Sequence, residues 1–120
     1  MATQRVKNIS YLARVELDLS EAEVSGDIFI IPSGAEILAL NVEVAEAGDA
    51  GLKIDLGLND SAEFFANDLI IDVLGNHASS VVTTSTKESL INYTLSTNAT
   101  QGKLIFRLHY FLPSEILAEY

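Results

Sequence analysis

Histidine, serine and carboxylate groups are the side chains here with catalytic or metal-binding potential, and their spacing limits what they can do. His77 precedes Ser79 and Ser80 closely in sequence, but a nucleophile takes its base and orienter from separate elements, and no G-x-S-x-G elbow is present. His77 therefore reads as a loop histidine. His109 lies between Leu108 and Tyr110 in an alternating segment, on the register of a surface or interface residue. The two histidines form neither HxH nor HExxH, and there is no cysteine, so zinc-ligand spacing and disulfides are both absent. Asp18, Glu21, Glu23 and Asp27 cluster in sequence without the D-x-[DN]-x-[DN]-G spacing of a calcium loop. Gly48 and Gly51 precede no Lys-Ser or Lys-Thr pair, which leaves nucleotide binding unsupported. Carboxylate pairs for glycoside hydrolysis can be drawn freely from 17 acids, so no pair is informative. Without tryptophan, Tyr11, Tyr93, Tyr110 and Tyr120 read as packing or interface residues. The expectation is a protein that is not an enzyme, with no catalytic residue, no cofactor and no metal.

The elements that would position these groups are bounded by composition. A chain of 120 residues fits one domain, and a domain of that size buries roughly two-thirds of the surface its unfolded chain exposes. Apolar residues make up 48% and charged residues 20%, far from the composition of disordered chains. The net charge of −10 opposes nucleic-acid binding, which depends on Lys and Arg contacts to phosphates. Met1 to Ser10 lacks an apolar h-region, and no run reaches the roughly 18 apolar residues of a membrane span. A protein made in the cytoplasm without a signal peptide and without a membrane partner is expected. The N-x-[ST] matches at Asn8, Asn59, Asn92 and Asn98 then read as chance.

Period-two alternation dominates the chain. Leu38, Leu40, Val42 and Val44 oppose Ala39, Asn41 and Glu43; Leu52, Ile54, Leu56 and Leu58 oppose Lys53, Asp55 and Gly57. These are half-buried strands, joined by Gly48-Asp49-Ala50-Gly51 either as a hairpin or as a crossing between sheets. Ile91, Tyr93 and Leu95 form another, and Leu104 through Leu112 a longer one, with Ser96 to Gly102 as the loop between them. Ala13 to Leu19, Ile28 to Ile31, Val81 to Thr86 and a weaker stretch at Leu69 to Val73 bring the count to about eight. Asp60, with Glu63 at the capping-box position, predicts one short helical turn near residues 60–67. The fold class expected is all-β: a single jelly-roll-like sandwich over residues 1–120.

Pro32 ends the Ile28 to Ile31 run, and Pro113 is expected to stop the last strand. Residues 1–10 read as an N-terminal arm and 114–120 as a C-terminal tail. Arg5 and Lys7 hint at an arm docking on an acidic partner. Ile105 and Phe111 place apolar groups on the second face of the last strand, and Ile116, Leu117 and Tyr120 keep the tail apolar. These seven residues are the candidate interface, and a homo-oligomer is expected because one core cannot bury both faces.

The segments Ile31-Pro32-Ser33-Gly34-Ala35, Val42 to Ala45, Leu52 to Leu58, Phe65-Ala66-Asn67-Asp68-Leu69 and Gly75, with the closing strand Gly102 to Pro113, carry a pattern of turns and hydrophobic rhythm. Over roughly residues 24–113 it resembles small β-sandwich virion proteins of tailed phages. The resemblance implies a capsid decoration, or cement, protein: a homotrimer bound to the major capsid protein at the virion surface. It carries no catalytic residue. The alternative is a receptor- or carbohydrate-binding module of a phage fibre or tail.

Overall fold

Short alternating runs separated by turn residues have one way to bury their apolar faces, which is to stack two sheets. The computed structural model describes residues 2–119, with side chains for residues 10–112. Among the described residues there are nine strands and no helix. They are β1 (Ala2–Asp18), β2 (Ser25–Ile31), β3 (Glu36–Glu46), β4 (Lys53–Leu58), β5 (Ser61–Ile70), β6 (Gly75–Ala78), β7 (Thr83–Thr84), β8 (Ser89–Leu95) and β9 (Lys103–Glu119). One sheet has the order β1-β9-β3-β6, with β7 also on β3; the other is β2-β8-β4-β5. The first strand pairs with the last, the second with the last but one, the third with β6 and β7, and the fourth with the fifth. This nested pairing is a long hairpin rolled up on itself, the jelly roll expected. The β3-to-β4 connection crosses between the sheets.

The core lies between the two inner faces. Leu40, Val42, Val44, Leu104, Phe106 and Leu108 line it from one sheet, and Phe29, Ile31, Ile54, Leu56, Ile91, Tyr93 and Leu95 from the other. In β3 the alternation shifts. The ladder to β9 slips between Ile37 and Ala39, a β-bulge that turns Ile37 inward and leaves Leu38 39% exposed. Leu38 thus departs from the face read from alternation, because the extra residue resets the phase.

Four other expectations are corrected. Residues 60–67 form no helical turn: Asn59 and Asp60 make a two-residue turn between Leu58 and Ser61, with Asn59 at φ 51°, and β5 begins at once. Asparagine tolerates the left-handed region, and its side chain stitches the turn to β8, accepting from the Leu90 amide at 2.9 Å. The weaker strand expected at Leu69 to Val73 belongs to β5 and ends at Ile70; Val73 and Leu74 are exposed. Of Val81 to Thr86, Thr83 and Thr84 alone are strand. Pro113 does not end the last strand, which runs on to Glu119; proline is tolerated there because β3 follows β9 only as far as Phe111, leaving one edge unpaired. Pro32 does end β2.

Beyond Phe111 the pairs from Ile9↔Leu112 to Ala2↔Glu119 belong to β1 and β9 alone. This two-stranded ribbon occupies the segments read as arm and tail. At roughly 3.4 Å per residue its eight pairs span about 27 Å, a large part of a molecule measuring 63 × 25 × 23 Å.

Candidate functional site

The residues with chemical potential are placed in structural roles. Ser79 Oγ donates to the Phe65 carbonyl at 2.8 Å and accepts from the Val81 amide, bridging β5 to the gap between β6 and β7. His77 is half-buried in β6, opposite Val42, and its carbonyl accepts from Asn41 Nδ2. His109 lies on β9 with its Nε2 2.7 Å from Ser10 Oγ, a contact across 99 positions of sequence that no local pattern reveals. Among the described residues no carboxylate hydrogen-bonds that ring, so the pair lacks the orienting group of a nucleophile and base.

The acids of the β1–β2 loop are dispersed. Asp18 caps its own turn, accepting from Ser20 N at 3.0 Å and Ser20 Oγ at 2.7 Å, and these bonds hold its carboxyl below the usual carboxylate value. Asp49 accepts from the Thr100 amide at 2.6 Å and from its hydroxyl, and is lowered for the same reason. Asp49 thus ties the β3–β4 loop to the β8–β9 loop at the end of the sandwich opposite the ribbon, whereas Asp18 fixes only its own turn. Burial, with the Glu23 charge second, raises the Tyr93 phenol, whose hydroxyl donates to the Glu23 carbonyl at 2.9 Å. Among the described residues no three His, Asp or Glu groups converge as metal ligands.

Three surfaces remain. An open pocket of about 290 Å³ on the β2-β8-β4-β5 sheet is lined by Ser25, Asp27, Asn59, Asn92 and Thr94, among others. On the outer face of the opposite sheet, β1, β9 and β3 place residues in rows. Arg14 faces Arg107, and Ile105 sits between Glu16 and Glu43. The ion pairs Arg14–Glu16 at 2.9 Å and Arg107–Glu43 at 2.7 Å lie on the strands around it. Ile105 is 8% exposed within one chain. The third surface is the root of the ribbon. There Leu12 faces His109, with Ala39 beyond it, and Ser10 faces Phe111; Leu12 is 70% exposed, and Phe111 is half-buried against the His109 ring at 5.2 Å. Arg5, Lys7, Ile116 and Leu117 lie on the ribbon outside the described side chains, and Tyr120 lies outside the described residues.

No protein-family model and no curated protein matches the sequence. Among solved structures, a chain of the acidic stable capsid of Helicobacter pylori bacteriophage KHP30 aligns over 100% of both chains, with a TM-score of 0.76 and 25% identity. This chain is built like a phage capsid component. A chain of the cyanophage Pam1 capsid asymmetric unit aligns over 91% of this chain and 86% of that one, with a TM-score of 0.61. At 16% identity that second likeness concerns the fold. The resemblance to small phage virion proteins read from the sequence therefore holds, and the full-length match takes in the ribbon as well as the sandwich.

Proposed function

We propose that this protein is a structural virion protein that decorates and stabilises a tailed-phage capsid, binding the major capsid protein as a homotrimer. The observation that carries this reading is the end-to-end structural match to a chain of the KHP30 capsid. An acidic sandwich in which no catalytic groups converge among the described residues suits a passive role at the virion surface. Contacts that form only on the assembled shell stabilise that shell by mass action, by about 2.7 kcal/mol per site at a hundredfold excess over the dissociation constant. Capsids prepared with and without the protein are compared for melting temperature and DNA retention, and the purified protein is added back to stripped shells. Decorated shells are expected to melt higher and stripped shells to rebind the protein. Equal stability, or no rebinding, removes the reading.

The second reading, a receptor- or carbohydrate-binding module, has the polar pocket on the β2-β8-β4-β5 sheet in its favour. Short hydroxyl and amide side chains suit sugar hydroxyls, but the one aromatic residue in the lining, Tyr93, is buried and offers no stacking platform. Binding on a glycan array that is lost in Asn92→Ala would support this reading over decoration.

A further inference from the structure

We infer that the β1–β9 ribbon, with the residues at its root, is the surface through which copies of this chain associate; this rests on the homo-oligomer in the function proposed above. Three observations converge on it. The first is the backbone. Among the described residues, β9 past Phe111 has β1 on one side and no strand on the other, and β1 has no strand on its outer edge from Ala2 to Asp18. A two-stranded ribbon is marginal in water unless a further strand or a packed face supports it.

The second is apolar surface at the root. Leu12 is 70% exposed and Tyr11 39%, the Tyr11 ring being stacked on Tyr110 at 5.2 Å. The β3 bulge brings Leu38 out on the same sheet. The third is charge. Arg5 and Lys7 balance Glu115 and Glu119, so the net −10 resides on residues 13–108. Like-charged copies approach most readily where the local charge is zero.

The occupant is a second copy because this molecule carries both complementary edges. Rotation about an axis along the ribbon preserves strand direction, so β9 of one copy meets β1 of the next antiparallel, the geometry found within the chain. Where its rotation divides a full turn evenly, such a head-to-tail contact closes into a ring, and a closed ring leaves no ribbon edge unpaired.

Sedimentation equilibrium of the full chain tests the assignment, with Leu12→Asp at the root, Arg5→Glu/Lys7→Glu on the ribbon and Ile30→Asp, 69% exposed on the opposite sheet, as control. The wild-type protein is expected to sediment as a multiple of 13.0 kDa. The root and ribbon variants should weaken association by about tenfold or more, with unchanged far-ultraviolet circular dichroism, and the control should behave as wild type. A monomeric wild type, or dissociation by the control, overturns the inference. Root and ribbon variants that stay associated but no longer rebind stripped shells assign the ribbon to the shell, overturning the inference while decoration stands. Failure of the wild type itself to rebind shells removes decoration, and sedimentation still decides the ribbon.

Discussion

Gly57 sits where the outer face of β4 is closed by backbone. A β-carbon there would stand 2.5 Å from Asn92 Oδ1, 2.6 Å from the Ser61 carbonyl and 2.7 Å from the Ala62 Cα. Gly57→Ala is expected to destabilise by about 1–3 kcal/mol through overpacking, read as a lower urea midpoint. Asn59 is similarly fixed, bonded to Leu90, Ser89 and Asn92 around a left-handed backbone. Asp49 supplies a pH dependence. Its folded carboxyl is lowered by Thr100, so its contribution is present above the unfolded value of about 3.9 and lost as pH falls below it, through the folded value. Thr100→Val should therefore lower the urea midpoint at pH 7 and leave it nearly unchanged near pH 2; an equal loss at both would show that the carboxylate is not the cause. Tyr93 works at the other limit: its raised phenol favours the folded state below the unfolded value of about 10, and this is lost at higher pH.

At the scale of elements, the β3 bulge shows where alternation misleads. Ile37 is fully buried and its neighbour Leu38 is 39% exposed, although both are aliphatic and adjacent. Ile37→Ala is expected to cost about 2–5 kcal/mol and Leu38→Ala less than about 1 kcal/mol, measured by chemical denaturation; similar losses would mean that the bulge is absent in solution. Opposite the bulge the partner strand is broken into β6 and β7, and Ser79 donates its amide to the Leu40 carbonyl at 2.9 Å within the gap. The run Val81 to Thr86, β-branched but for Ser85, concealed the break between β6 and β7, since propensity records what fits a pleat and carries no information about which partner is present.

For the whole molecule, charge and length decide behaviour. Copies bearing −10 each repel, and at about 1 M salt the screening length falls to roughly 3 Å. Self-association is expected to tighten between low and high salt, while any attachment that depends on ion pairs loosens. Sedimentation across a salt series checks this; association that weakens with salt would make the copy–copy contact ionic and exclude the neutral ribbon as its main surface.

Alternation in β4, β8 and β9, the loop at Ser96 to Gly102 and the stop at Pro32 were set by the chain itself, because local periodicity and turn chemistry act over a few residues. The all-β class and a jelly-roll-like sandwich of about eight strands followed from those features. Which strand lies beside which did not, because Leu40 meets Leu108 and Leu56 meets Tyr93 only once the long hairpin has rolled up. Tertiary pairing also buried Ile105 between β1 and β3, joined Ser10 to His109, and carried β9 through Pro113 by giving it β1 as a partner. These contacts lie between residues distant in sequence, where no local spacing specifies them and the packing of two sheets does.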